Sequence, residues 1–343
     1  MRPYLATLAI QRFDRTDALH DGRVSIDNVF VAHVLPGVGV SGLLAGVFEA
    51  AEMPIAHYAF LRDQGDDYTA IPVFPDRMFL RRNVFVRPDS GIASLADLAG
   101  RRVAVPMYWM TSSFWHRRDL RLLGGLAPEQ VTWVTTAPER DARMTLPAGV
   151  KVELVRGPHL GLERLLDGSA DCLMTEAQPV VPEGAPVARL HADPDALDRE
   201  LIEGSGVHPL LHVIVFRRDV ADRHPDLVAR VCEAFDVAKQ SAYDLLQNER
   251  MTSLPFMRSH LDETEAVFGA DPFPYGVAGR NGTELALFLA EAHEQGLTRR
   301  RLAVDELFHE VGRDHPWSAR MTRGADLGAM ESLKGIPKER RHA

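Results

Sequence analysis

Short apolar, β-branched runs alternate with capped helical segments along most of this chain, and that rhythm limits the fold to α/β layers, strands covered by helices. Tyr4 to Ile10 and Val29 to Leu35 read as strands, and Pro54 to Asp63 as a helix opened by proline at its first position. The segment SLADLAGRRVAVP reads as a helix capped at Ser94, a glycine stop at Gly100 and a new strand. Pro128 opens a short helix before the strand Val131 to Thr135, and the helix Leu160 to Leu166 leads past Gly168 into the strand Asp171 to Thr175. The β-branched run Val213 to Arg217 carries the chain back, Pro225 opens a long amphipathic helix toward Leu246, and a last helix spans Glu284 to Gln295. A length of 343 residues exceeds what one core holds comfortably, so two lobes are expected. Residues 1–102 and 213–310 form lobe I and 103–212 lobe II, each with its own core. The crossover lies near Arg102, and 311–343 is an extension ending in a frayed polar tail.

Composition narrows the function. With 45% hydrophobic and 25% charged residues the chain can bury a core, and a net charge of −9 repels phosphate backbones and anionic lipid. Nucleic acid and membrane are therefore not expected partners, and no apolar run reaches the ~20 residues of a membrane span. The N-terminal MRPYLATLAIQRFDRTD lacks a long apolar core followed by small residues, so a cytoplasmic location is expected. Cys172 and Cys232 lie in apolar segments and read as buried structural thiols.

Phosphate-binding glycine loops and the G-x-S-x-G elbow are absent, and no histidine pair has H-E-x-x-H spacing. His208 and His212 in VHPLLHV stand four apart, a spacing that on a strand puts both rings on one side. Metal binding would need further ligands that the sequence does not identify, so no metal or cofactor is expected. FPDRMFLRRN offers Arg77 and Arg81 as a carboxylate clamp beside Phe79, or a solvated basic face. VPMYWMTSSFWHRRD places Thr111, Ser112 and Ser113 at a helix N-terminus, which suits an anion or merely caps the helix, with Tyr108, Trp109 and Trp115 as an aromatic wall or as core.

The motifs FDRTDAL, AIPVFPDRMF, LADLAGRRVAVPMYWMTSSFW, PLLHVIVFRRDVADRHP and DPFPYGV…EQGL, taken in order, resemble the 4,5-dihydroxyphthalate decarboxylase family. The resemblance implies a two-lobed type II periplasmic-binding-protein-like fold with two hinge crossings, turned from binding to decarboxylation. It points to Asp14, Arg15, Glu52, Arg77, Tyr108, Thr111, Trp115 and His212 as site residues. The sequence departs from the family pattern at His57, at His208 and near Arg81.

Decarboxylation of an aromatic acid needs an acid that protonates the ring carbon before carbon dioxide leaves. His212 is the leading candidate, with His208 or Glu52 as its complement. Arg77 and Arg15 would hold the spectator carboxylate of a small aromatic substrate, Thr111 would add a neutral donor, and His57, Arg81, Trp109 and Ser112 would line the site. A solute-binding or sensor protein for a small aromatic acid, or a different lyase or hydrolase acting on a related ring acid, remain the alternatives, and the sequence leaves homo-oligomerisation open.

Overall fold

The computed structural model describes residues 5–155 and 161–310, so the 311–343 extension and the start of the expected helix at Leu160 lie outside the described residues. The strands are β1 (Ala6–Ile10), β2 (Val29–His33), β3 (Ala50–Pro54), β4 (Tyr68–Ile71), β5 (Val84–Val86), β6 (Arg102–Val105), β7 (Thr132–Thr135), β8 (Lys151–Leu154), β9 (Cys172–Met174), β10 (Ala188–Arg189) and β11 (His212–Arg217). Ten α-helices accompany them among the described residues: α1 (Asp14–His20), α2 (Pro36–Leu44), α3 (Ile55–Gln64), α4 (Thr111–Gly124), α5 (Leu162–Leu166), α6 (Pro194–Ser205), α7 (Arg218–Arg223), α8 (Pro225–Leu246), α9 (Met257–Phe268) and α10 (Arg280–Glu294).

The strands form two sheets, ordered β2-β1-β3-β11-β4 and β10-β5-β9-β6-β7-β8. Each sheet has a parallel heart and accepts one antiparallel strand where the chain crosses over. β5 runs antiparallel to β9 in the second sheet, and β11 runs antiparallel to both β3 and β4 in the first. The first crossing therefore precedes Val84 and does not fall near Arg102. The short β5 was missed because VFV carries too few residues to show a period. The return at β11 falls where the β-branched run places it.

The two lobes do not rest on separate cores alone: each sheet has an apolar cluster of its own, and a larger one is shared between them. One apolar cluster runs from β3, β11 and α3 into β6, α4 and α10, joining both sheets along one side. The aromatic face of α4 makes the join: Phe114 and Trp115 lie 4.9 and 6.1 Å, ring to ring, from Phe288 of α10. A second cluster fills the space between the first sheet, α1 and α8. Both cysteines are buried free thiols, and burial pushes the Cys172 thiol up.

Arg77 locks the two crossings together. Its guanidinium, with no solvent access, donates to Glu284 Oε2 (2.8 Å), to the His208 carbonyl (3.1 Å) and to Asn281. The other oxygen of Glu284 accepts the Leu210 N–H at 2.7 Å. The carboxylate clamp expected at Arg77 is thus overturned, because burial makes a fixed internal partner obligatory for its charge. Arg81 is occupied likewise, by a two-pronged pair with Asp119 of α4 at 3.0 and 3.1 Å and by the Leu197 carbonyl. Arg77→Ala strands a buried carboxylate and should cost about 3–5 kcal/mol in denaturant unfolding. Arg77→Met with Glu284→Leu should recover most of it, and equal stability of Arg77→Ala and wild type would refute the latch.

Candidate active site

Strands of both sheets end at one interface, where an open α/β sheet places its ligands. From the first sheet, β3 carries Glu52 and runs through Pro54 into α3, β4 leads through Pro75 to Asp76, and β11 begins at His212. From the second, β6 leads to the entry loop of α4, β7 to Glu139 and Arg140, and β9 to Glu176. The antiparallel direction of β11 brings His212 opposite Pro54, so its ring reaches the carboxylate two residues earlier on β3.

His212 Nδ1 lies 2.6 Å from Glu52 Oε1 and 3.3 Å from Asp76 Oδ2. Gln11 fixes Glu52 from the end of β1, its backbone N–H to Oε2 at 2.8 Å and its side-chain amide to Oε1 at 3.0 Å. Burial opposes charge on both partners. The hydrogen bond and charge of His212 nevertheless leave the Glu52 carboxyl below its ordinary value, and Glu52, Asp76 and Glu176 leave the imidazole above its own. Both shifts favour the same form of the pair, a carboxylate facing an imidazolium. Because Nδ1 faces the carboxylates, Nε2 is the nitrogen left without a protein partner among the described residues, and a tenth of the side chain is solvent-accessible. Glu52, Asp76 and His212 could also offer three ligand atoms, all within 4.8 Å of one another, to a single cation. The 2.6 Å contact is a hydrogen-bond distance, and coordination would require those two atoms to move apart.

Asp76, Glu139, Arg140 and Glu176 were missed in the sequence, where each is an unremarkable loop residue. Burial raises the carboxyls of Asp76 and Glu176. Glu139 accepts the Tyr108 and Trp109 N–H groups at 2.8 and 3.2 Å, occupying donors that the entry loop could otherwise offer to a ligand. Arg140 makes no hydrogen bond or ion pair with the described residues. It reaches from the second sheet toward α2, where a Cβ on Gly37 would lie 2.6 Å from its Nη1, so a side chain there would push the guanidinium aside.

The remaining expected residues divide. Arg15 borders the cluster, 4.0 Å from Asp76, held by the Pro75 carbonyl and by Asp14 at 3.1 Å, while Asp14 itself stays exposed. Thr111 is turned to another use, its hydroxyl accepting the Ala56 N–H of α3 at 3.3 Å, whereas the Ser113 hydroxyl is buried without a partner and the Ser112 hydroxyl faces Glu176. Tyr108, Trp109 and Trp115 are core rather than wall. Tyr108 packs edge-on against Trp133, Trp109 donates to the Thr145 carbonyl, and Trp115 donates to the Leu210 carbonyl at 3.0 Å. His208 does not share the face of His212, because the segment enters β11 only at His212; its ring stacks on Phe79 at 4.7 Å. His57 is buried on α3 with neither ring nitrogen partnered, and burial lowers it to about 4.

The fold is that of periplasmic solute-binding proteins. The aliphatic sulphonate-binding protein SsuA of Escherichia coli superposes with a TM-score of 0.53 at 16% identity, covering 90% of this chain and 92% of that one. The alkanesulfonate-binding SsuA of Xanthomonas axonopodis pv. citri, solved with MOPS, also scores 0.53, at 14% identity over 87% and 95% of the two chains. No protein-family model matches the chain. Relatives at the sequence level do: the 4,5-dihydroxyphthalate decarboxylase of Comamonas testosteroni is 32% identical over 316 residues, 88% of this chain and 96% of that protein. The corresponding enzyme of Pseudomonas putida is 31% identical over 199 residues, 55% and 77% of the two chains. The chain belongs to the 4,5-dihydroxyphthalate decarboxylase family.

A histidine held neutral in the folded state but free to protonate when unfolded makes stability fall with acidification. For His57 that loss runs between about pH 6.5 and 4 and totals about 3 kcal/mol. His57→Asn should flatten that part of the curve in urea titrations at a series of pH values, and an unchanged curve would show His57 protonated in the fold.

Proposed function

We propose that the protein removes carbon dioxide from a hydroxylated phthalate-like acid, as a carboxy-lyase, with the imidazolium of His212 as the proton donor. The observation that carries this reading is the 2.6 Å contact between His212 Nδ1 and a carboxylate that Gln11 already fixes. It keeps the ring charged and aimed, as an orienting carboxylate does for a catalytic histidine.

In a 4,5-dihydroxyphthalate each carboxylated ring carbon has a hydroxyl para to it. Loss of that hydroxyl's proton pushes electrons to the carbon, which takes the proton from His212 Nε2. The ring carbon is then tetrahedral and the para position a carbonyl. The bond to the carboxylate breaks, its electron pair restores the aromatic ring and the oxygen's charge, and carbon dioxide departs. Glu176, from the second sheet and with its carboxyl raised by burial, would accept and return the hydroxyl proton. Arg140, unpaired and close enough to Glu176 and Glu139 for their charges to act on it, suits the spectator carboxylate.

His212→Asn should keep substrate affinity and lower kcat by roughly 10² to 10⁴, with carbon dioxide release as the readout. Unchanged turnover would remove His212 from the chemistry. Dialysis against a chelator separates acid from ligand: retained activity supports the acid, whereas loss restored by a divalent ion makes Glu52, Asp76 and His212 ligands. The proton donor must be protonated, so kcat should fall as pH rises through a value above the ordinary 6.5 of histidine. Glu52→Gln removes the largest stabiliser of the imidazolium and should move that fall to lower pH; a limb that stays in place would assign it to another group.

A further inference from the structure

Away from the Glu52–Asp76–His212 cluster, α8 and α9 enclose a pocket of ≈ 370 Å³, near the small end of ligand cavities. Phe79, Phe268, Phe273, Leu246 and Leu261 supply apolar walls, and His208 stands among them. The His208 ring lies 4.7 Å from Phe79 at 26° and 5.4 Å from Phe273 nearly edge-on, an arrangement that accepts a flat ring beside it. Its Nδ1 is buried without a partner, although the residue is only 6% exposed. A buried polar atom in that condition invites a ligand hydrogen bond.

Charge defines the ligand further. Arg15 lines the pocket with its guanidinium between Phe13 and Phe273, each 4.3 Å away. Arg280 packs on Phe268 at 5.0 Å, and its Nε is buried without a partner. These two cations, with Arg77, hold His208 well below its ordinary value, after burial itself, so the ring is neutral in a positive field. Glu284 balances Arg77, which leaves Arg15 as the lining cation an anion can meet, with Arg280 against Phe268 adding to the positive field. Asp14 and Glu265 also line the pocket, but the Arg15–Asp14 pair is exposed on the aspartate side and yields at little cost.

We propose that this pocket is a second binding site, for a monocyclic aromatic carboxylate bearing a ring hydroxyl, separate from the reacting cluster and coupled to it through Arg15. The walls take the ring, Arg15 takes the carboxylate, and His208 Nδ1 accepts the hydroxyl proton. Arg15 is 4.0 Å from Asp76, and Asp76 is 3.3 Å from His212. A carboxylate on Arg15 therefore weakens the positive field at Asp76 and alters the charge balance around the proton donor. A hydroxylated benzoate is also what remains when a hydroxylated phthalate loses carbon dioxide, so the site would respond to product.

Calorimetry with 3,4-dihydroxybenzoate and with benzoate tests this on three proteins: wild type, Leu261→Trp, which fills the pocket from α9, and His208→Leu. Wild type should bind 3,4-dihydroxybenzoate at two sites, and Leu261→Trp at one, with kcat and KM within twofold of wild type. His208→Leu should lose a preference for the hydroxylated probe of roughly three- to tenfold at the second site, the worth of one hydrogen bond. Should Leu261→Trp melt early, Thr264→Phe fills the same space from the next turn. A single site in every protein would overturn the proposal, as would a tenfold rise in KM or loss of turnover in both filled variants, which would make the pocket the substrate site itself.

Discussion

Everything at the interface between the sheets hangs on a carboxylate that water does not reach. Glu284, on α10, holds the Arg77 guanidinium with one oxygen and the Leu210 N–H with the other. Arg77 belongs to the outgoing crossing and Leu210 to the returning one, and Trp115 of α4 holds the Leu210 carbonyl. One helix thus fixes both passages of the chain and the second sheet's first long helix. Two residues beyond Leu210 stands His212, whose aim depends on where β11 begins. Burying such a pair rarely adds stability over an apolar replacement, but it fixes a register. Here the register puts His212 opposite the end of β3.

The cluster it completes is unequal across the interface. The first sheet brings Glu52, Asp76, His212 and Arg15; the second brings Glu139, Arg140 and Glu176. Arginine and carboxylate thus stand on each side: with His212 charged the first half balances, whereas the second has two carboxyls to one guanidinium. Glu139 is satisfied by backbone N–H groups, whereas Arg140 has no protein partner among the described residues. A dianionic ring acid entering between them meets Arg140 as the unpaired cation, and the raised Glu176 carboxyl as the group most easily neutralised by a shared proton.

Much of the fold was legible because periodicity and punctuation are local. The helix from Pro225 to Leu246 and the strand opening at Arg102 stand where proline, glycine and β-branching put them. The crossing before Val84 was not legible, since a three-residue strand leaves no period and its identity as a sheet member depends on pairing with β9. The site divides on the same ground. His212 and Glu52 were found through the resemblance, and their pairing agrees with the chemistry expected of them. Arg77 and Arg81 carry the right charge for a clamp, yet Glu284 and Asp119, more than 200 and nearly 40 residues away, have already taken them. Residue type alone does not reveal which arginines lack an internal partner, and Arg140, which has none among the described residues, lies in an undistinguished loop.

Solute-binding folds usually close by moving one lobe against the other about a hinge. In this chain the join between the sheets is filled. The Ala56 N–H binds Thr111 across it, Arg117 and Gln295 link α4 to the end of α10 at 2.9 Å, and Phe114 and Trp115 pack on Phe288. Opening along that side would break hydrogen bonds and expose aromatic surface together, which makes wide excursions costly there. A binding protein needs such motion for capture and release. A protonating imidazole needs the opposite, a ring carbon held within hydrogen-bond reach while bonds rearrange. The packed join favours the second requirement.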